Sequence, residues 1–178
     1  MTLKERYNTE ILPALAKTLG EKNPMSLPHV KSVTLSIGLS HGLKDAKFMD
    51  VAENTLVRIT GQKPLRTKAK QSISNFKIRQ GMVVGMRVTL RGDRMWHFLD
   101  KFLNITFPRI RDFRGISKSH IDATGNISLG FREFVSFPEM RPDEVERVHG
   151  LEVTVSTTAK NRVRGEALFR ALGFPFKD

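Results

Sequence analysis

Between Gly61 and Gly92 lie Lys63, Arg66, Lys68, Lys70, Lys77, Arg79, Arg87 and Arg91. The same stretch, GQKPLRTKAKQSISNFKIRQGMVVGMRVTLRG, contains neither Asp nor Glu. A solvated surface ordinarily mixes both signs, because mixing limits self-repulsion. A long run of one sign suits a polyanion whose phosphates the ammonium and guanidinium groups neutralise. Within it, Lys70–Gln80 interleaves Ser72 and Asn75 with the cations and holds one aromatic, Phe76. Lys and Arg reach phosphates, Asn and Gln reach base edges, and an aromatic ring can stack on a base. The alternative for Phe76 is that it tucks with Ile78 under its own hairpin as a small apolar cluster.

Two further basic clusters follow. Arg109, Arg111, Arg114 and Lys118 sit in PRIRDFRGISKSH, with Asp112 among them. These arginines either fork onto phosphates or form internal ion pairs. Lys160, Arg162, Arg164 and Arg170 lie near the end of the chain. The acids gather too: Glu139, Asp143, Glu144 and Glu146 follow Phe137-Pro138. Carboxylates there cannot favour a phosphate surface. They are either the negative first turn of a helix starting near Pro142, or a contact for a basic protein neighbour.

Nothing in the chain assembles recognisable catalytic chemistry. His29, His41, His97, His120 and His149 never fall at metal-ligand spacing, so no metal is expected. G-x-S-x-G, G-x-G-x-x-G and the Walker loop are absent, and Gly61-Gln62-Lys63 lacks the rest of a phosphate cradle. There is no cysteine, which removes disulfides, zinc knuckles and thiol catalysis. No enzyme and no cofactor is expected.

The whole composition points the same way. Thirty Lys and Arg against eighteen Asp and Glu leave +12 at neutral pH in 178 residues. A charge of that size is normally tolerated where a polyanion neutralises it, nucleic acid first and an anionic membrane second. The N-terminus lacks the apolar core of a signal peptide, and no apolar run reaches the length of a bilayer span. A soluble intracellular protein is expected, with no membrane partner.

The elements that must hold these groups follow from periodicity. Leu3, Tyr7, Ile11, Leu15 and Leu19 mark an amphipathic helix closed by Gly20, which Pro13 should kink or divide. Val33, Leu35 and Ile37 alternate with polar residues in a strand ending at Gly38. Residues 44–60 return to helical spacing and stop at Gly61. Met82, Val84, Met86, Val88 and Leu90 line one face of a strand whose other face carries Arg87, Thr89 and Arg91. Pro64–Lys68 is its expected partner, with a long mobile basic loop, residues 68–80, between them. An aromatic-rich helix over 93–106, strands at 126–131 and 151–157, and a helix over 161–172 complete the chain.

This order predicts a single α+β domain: a mainly antiparallel curved sheet with helices packed on one face. The second face, bearing Arg87, Thr89 and Arg91, is either an RNA platform or a plain solvated surface.

With those residues in view, the chain resembles the bacterial-type family of large-subunit ribosomal protein five (the L-five family). The resemblance runs nearly end to end. It is carried by ITGQKP (Ile59–Pro64), FKIRQG (Phe76–Gly81), VTLRG (Val88–Gly92), MW (Met95–Trp96), PRIRDFRG (Pro108–Gly115), FPE (Phe137–Glu139) and TTAK (Thr157–Lys160), in that order. It implies a helix-backed curved sheet and a place in the central protuberance of a cytoplasmic or organellar ribosome. The implied partners are 5S rRNA, 23S-type rRNA, P-site tRNA, small-subunit protein thirteen and other central-protuberance proteins.

By the same resemblance, Ser36, Gly38, Gln62, Lys63, Arg66, Arg87, Thr89 and Arg91 face rRNA. Lys68, Lys70, Ser72, Asn75, Phe76, Lys77 and Arg79 reach toward P-site tRNA. Arg109, Arg111, Asp112, Arg114, Glu139, Asp143, Glu144 and Glu146 face the small subunit. The family commonly has Asn where this chain has Ser36, so one hydroxyl replaces an amide donor and a carbonyl acceptor. The rival readings are a basic DNA architectural protein or RNA chaperone outside the ribosome, an RNA-modifying enzyme and a peripheral membrane protein. The first would show a groove-entering basic helix, the second a catalytic pocket. The third would show a basic amphipathic helix, of which 93–106 has only half the pattern.

Overall fold

The computed structural model describes residues 1–39, 46–111, 113–132, 134–140 and 149–177. Asp112, Asp143, Glu144, Glu146 and the helix expected near Pro142 lie outside the described residues. The architecture is α+β. Strands β1 (Val30–Gly38), β2 (Leu65–Lys68), β3 (Val83–Leu90), β4 (Ile127–Phe131) and β5 (Leu151–Thr157) form a mainly antiparallel sheet in the order β2-β3-β1-β5-β4. Helices are α1 (Leu3–Arg6), α2 (Leu12–Leu19), α3 (Ala46–Thr60), α4 (Gly92–Lys101), α5 (Phe107–Arg109) and α6 (Arg162–Leu172). The chain divides into two compact units, one of Met1–Val33, Leu90–Leu129 and Thr154–Asp178, the other of Thr34–Thr89 and Gly130–Val153.

In the first unit the expected effect of Pro13 takes a definite form. A π turn, Tyr7–Ile11, separates α1 from α2, and the Leu12 N–H donates to the Tyr7 carbonyl. The widened turn lets the chain pass a residue that has no N–H and whose ring crowds the preceding turn. The same device recurs before Pro108, where the Phe107 N–H donates to the Phe102 carbonyl across Phe102–Thr106. The helix expected over 93–106 is therefore α4, a π turn and α5. Tyr7 and Trp96 meet at 4.9 Å between ring centres, and the Tyr7 hydroxyl donates to the Pro28 carbonyl. Burial raises the Tyr7 phenol to a pKa of about 12.

The turn before β4 and helix α6 of this unit meet through two glycines. Gly125 has φ +85°, and a Cβ on it would fall 2.6 Å from the Ala159 Cβ and the Asn161 carbonyl oxygen. A Cβ on Gly165 would fall 2.6 Å from the Cα and O of Gly125. Asp122 braces the turn, accepting from the Thr124 and Asn126 backbone N–H groups at 2.9 and 2.8 Å. Desolvation works against its charge, but the hydrogen bonds from Asn126 and Thr124 prevail and hold the carboxyl below its usual range. Asn161 caps α6 by accepting from the Arg164 N–H, and Gly173 ends it.

In the second unit α3 ends at Gly61, whose φ of +67° takes the chain out of the helix. Leu56 and Ile59 of α3 are buried, as is His149, whose ring stacks on Phe134 at 4.3 Å and meets Phe48 edge-on. Its Nε2 lies 3.3 Å from the Thr55 hydroxyl. Burial lowers the pKa of this imidazole, with a smaller opposing pull from the Gly150 carbonyl. Strand β2 pairs antiparallel with β3, as the sequence predicts, and the structure sets the register Leu65↔Arg87, Arg66↔Met86, Thr67↔Gly85, with a shift after Thr67.

Candidate nucleic-acid interface

The second unit's sheet strands have one buried and one open face. Leu35 and Ile37 of β1, Met86 and Val88 of β3, and Leu151 and Val153 of β5 are at most 2% exposed. The residues between them, Thr34 and Ser36, Arg87 and Thr89, and Glu152, are half-buried or exposed. Period-two alternation alone produces this division. Arg87 and Thr89 therefore stand on the open face, as expected, and Ser36 joins them. A groove there is lined by Ser36, Gly38, Thr67, Gly85, Arg87 and Glu152. Gly85 is required by close packing: a Cβ would lie 2.9 Å from the Ile37 carbonyl oxygen and 3.0 Å from the Thr67 hydroxyl.

Arg66 is not with this group. Its register partner is Met86 of the buried face, so its side chain projects toward α3, where Glu53 accepts from Nη2 at 2.6 Å and from Nε at 3.1 Å. Alternation within the short β2 separates Arg66 from Thr67, which faces the groove.

The turn leading into β2 is built by backbone geometry. The Gly61 N–H donates to the Val57 carbonyl at 2.7 Å, and the Thr60 hydroxyl accepts from the Gln62 N–H at 3.2 Å. Gln62 is half-buried beside an exposed Lys63 and a buried Pro64. The anchored turn thus presents a cation and an amide at a fixed place.

The basic segment 68–80, expected as a long mobile loop between the two strands, carries cross-strand backbone hydrogen bonds. It continues the β2–β3 hairpin: the Ala69 N–H donates to the Met82 carbonyl at 2.8 Å, and Ile73 and Ile78 exchange backbone hydrogen bonds of 2.9 and 3.1 Å. A 3-10 turn, Ser74–Phe76, and Lys77 in the left-handed region (φ +54°) close the tip. Of the two readings of Phe76, the tucked one is not realised. The ring is 68% exposed, and Ile73 beside it is 42% exposed. The short tip between the bridged Ile73 and Ile78 leaves no room beneath it for an aromatic ring.

What sets the hairpin and open face apart is the density of exposed cations in a stretch without acids; Lys17, Lys31, Arg94 and Lys160 elsewhere also form no ion pair among the described residues, and Arg66 in β2 forms one. Outside the candidate set, acids neutralise several cations: Asp93 holds Lys4, Glu21 holds Arg164, and Glu166 holds both Lys118 and Arg170. Among the described residues Lys63, Lys68, Lys70, Lys77, Arg79 and Arg87 form no ion pair, and all six are exposed. Arg91 is exposed at the N-cap of α4, in the first unit. Arg109, Arg111 and Arg114 also belong to the first unit and are exposed, while Glu139 belongs to the second and is half-buried. Sequence reasoning overlooked Thr67, Gly85 and Glu152; the period of LEVTVST would have set Glu152 opposite Leu151 and Val153.

Among the described residues no group of His, Asp and Glu is arranged to hold a metal ion, and no helix is long and apolar enough to cross a membrane. Residues 23–79 match the family described as ribosomal protein L5, and residues 83–176 match the model of the C-terminus of that same ribosomal family. The large ribosomal subunit protein uL5 of Francisella tularensis subsp. novicida (strain U112) is 50% identical over 175 residues, covering 98% of each chain. That of Roseiflexus sp. (strain RS-1) is 47% identical over 176 residues, covering 99% of this chain and 98% of its own.

Proposed function

The chain belongs to the ribosomal protein L5 family of the large ribosomal subunit, and from that premise we propose that its open sheet face binds 5S rRNA in the central protuberance. The family is structural, and its members are rRNA-binding components of a ribonucleoprotein that works in translation. Ser36, Gly38, Gln62, Lys63, Arg87, Thr89 and Arg91 form the rRNA-facing set. Arg66 contributes by tying β2 to α3. The hairpin cations Lys68, Lys70, Lys77 and Arg79, with Ser72, Asn75 and Phe76, reach toward P-site tRNA. Arg109, Arg111, Asp112 and Arg114, with Glu139, Asp143, Glu144 and Glu146, face small-subunit protein thirteen. Neighbouring 23S-type rRNA and other central-protuberance proteins complete the surroundings.

The observation that carries this reading is the concentration of exposed cations, without an ion pair among the described residues, that an acid-free stretch of sequence places on the second unit's hairpin and open face. A protein surface left unneutralised in this way is completed by phosphates, whose counterions are released on binding. With roughly 4–8 phosphates neutralised, log affinity for 5S rRNA should fall against log salt with a slope of about −3 to −7. Filter binding across a salt series measures it. A slope near zero would remove the electrostatic basis of the reading.

A further inference from the structure

Among the described residues, Glu152 is a feature of the open face that a phosphate-binding surface does not explain. It projects from β5 between the inward-facing Leu151 and Val153, and it is exposed. Its Oε2 accepts from the Ser36 hydroxyl at 3.3 Å. Among the described residues that is its only polar contact, although Arg87 lines the same groove. Facing a phosphate backbone, a carboxylate without a cation would weaken binding by like-charge repulsion. What an ionised carboxylate takes from nucleic acid is N–H, because it can only accept. Nucleobase edges supply N–H groups, and unpaired guanine offers N1–H and N2–H side by side, matching the two carboxylate oxygens. RNA is read in this way where unstacked bases expose their Watson–Crick edges. Gly38, which lines the groove, leaves room for the approach: among the described residues a Cβ on it would meet nothing within 4 Å.

Resting on the RNA-binding reading above, we propose that Glu152 is a base-reading residue, accepting the N1–H and N2–H edge of an unpaired guanine in the bound RNA. Ser36 donates its proton to Oε2 and so orients the carboxylate. Arg87 meets a phosphate of the same strand. The position gains specificity from this arrangement, because a base without those donors leaves the carboxylate both unpaired and near phosphate.

The test is filter binding of 5S rRNA at several salt concentrations to the full chain and to Glu152→Gln. Gln keeps one acceptor and sets an amide donor against guanine's own donors. It should weaken binding about 5- to 150-fold, the range of one bidentate base contact, with the salt slope unchanged. In parallel, each unpaired guanosine of the RNA is replaced by inosine, which lacks the 2-amino group. One such replacement should weaken binding of the unaltered protein and have little further effect on Glu152→Gln. Tighter binding by Glu152→Gln with a steeper salt slope would show a carboxylate that merely repels phosphate, and would overturn the proposal. So would full additivity, or no loss, at every inosine position. Failure of the unaltered protein to bind 5S rRNA at any salt would instead remove the RNA-binding reading, and this proposal with it.

Discussion

Replacing Gly165 by Ala should destabilise the protein, against the usual direction for a helix interior. Gly165 lies within α6, where Ala is ordinarily favoured by about 1 kcal/mol. Here the added methyl would sit 2.6 Å from the Cα and O of Gly125 and 3.0 Å from its carbonyl carbon. Carbon atoms pack best at about 3.5–4.0 Å, so one partner must move by roughly an ångström. Gly125 cannot readily yield. Its own φ is +85°, its carbonyl accepts from the Thr157 hydroxyl at 2.7 Å, and Asp122 clamps the turn. Overpacking commonly costs about 1–3 kcal/mol, and a site this tightly held belongs at the upper end. Subtracting the propensity gain leaves a net loss of about 2 kcal/mol. For a protein of this size that lowers Tm by about 4–8 °C, measurable by calorimetry or circular dichroism. Gly125→Ala should lose more, because it adds a left-handed φ to the clash, and the double variant should be less than additive because one contact is shared. A Gly165→Ala protein melting at or above the unaltered one would refute the steric argument.

Replacing Lys68, Lys70, Lys77 and Arg79 together by Ala should leave Tm nearly unchanged, since all four are exposed and form no ion pair among the described residues, and should impair tRNA-dependent ribosome function more than 5S rRNA binding. Equal loss of 5S affinity and of Tm would assign the hairpin to the core platform instead. Changing Glu139, Asp143, Glu144 and Glu146 to Gln or Asn should leave 5S affinity unchanged or slightly tighter and weaken subunit joining. That defect should shrink with added salt, because exposed pairs contribute only about 0–1 kcal/mol each and are screened; collapse of 5S binding with normal joining would place these acids on the RNA side. The buried His149 predicts a pH effect of defined sign. Its folded pKa is depressed, so its contribution is constant above the unfolded value near 6.5 and is lost as pH falls below it, until the lowered folded pKa is reached. Urea unfolding from pH 7 downward should show this, with a slope of at most about 1.4 kcal/mol per pH unit from this one group, and His149→Gln should abolish that component.

Much of this molecule is legible in one dimension because its determinants are local. Alternation in TLSIG, MRVTL and LEVTV assigns each side chain to a face without reference to any partner. Gly20, Gly61 and Gly173 end helices because each supplies a left-handed φ, and Asn161 starts one by capping it. The unbroken basic run between Gly61 and Gly92 also needs no fold to be recognised as suited to phosphate. Tertiary structure decided what depends on which strand lies beside which. Arg66 reads like its basic neighbours until the register with Met86 turns it toward Glu53 and away from the open face. Phe76 is exposed because so short a tip has no interior, which length and composition alone left undecided. The approach of Gly125 to Gly165 joins a β-turn to a helix far along the chain, so neither glycine announces its partner. Glu152 follows the same rule: alternation assigns its face, but only the pairing of strands sets it beside Ser36 in a groove with Arg87, where one carboxylate among cations acquires a meaning.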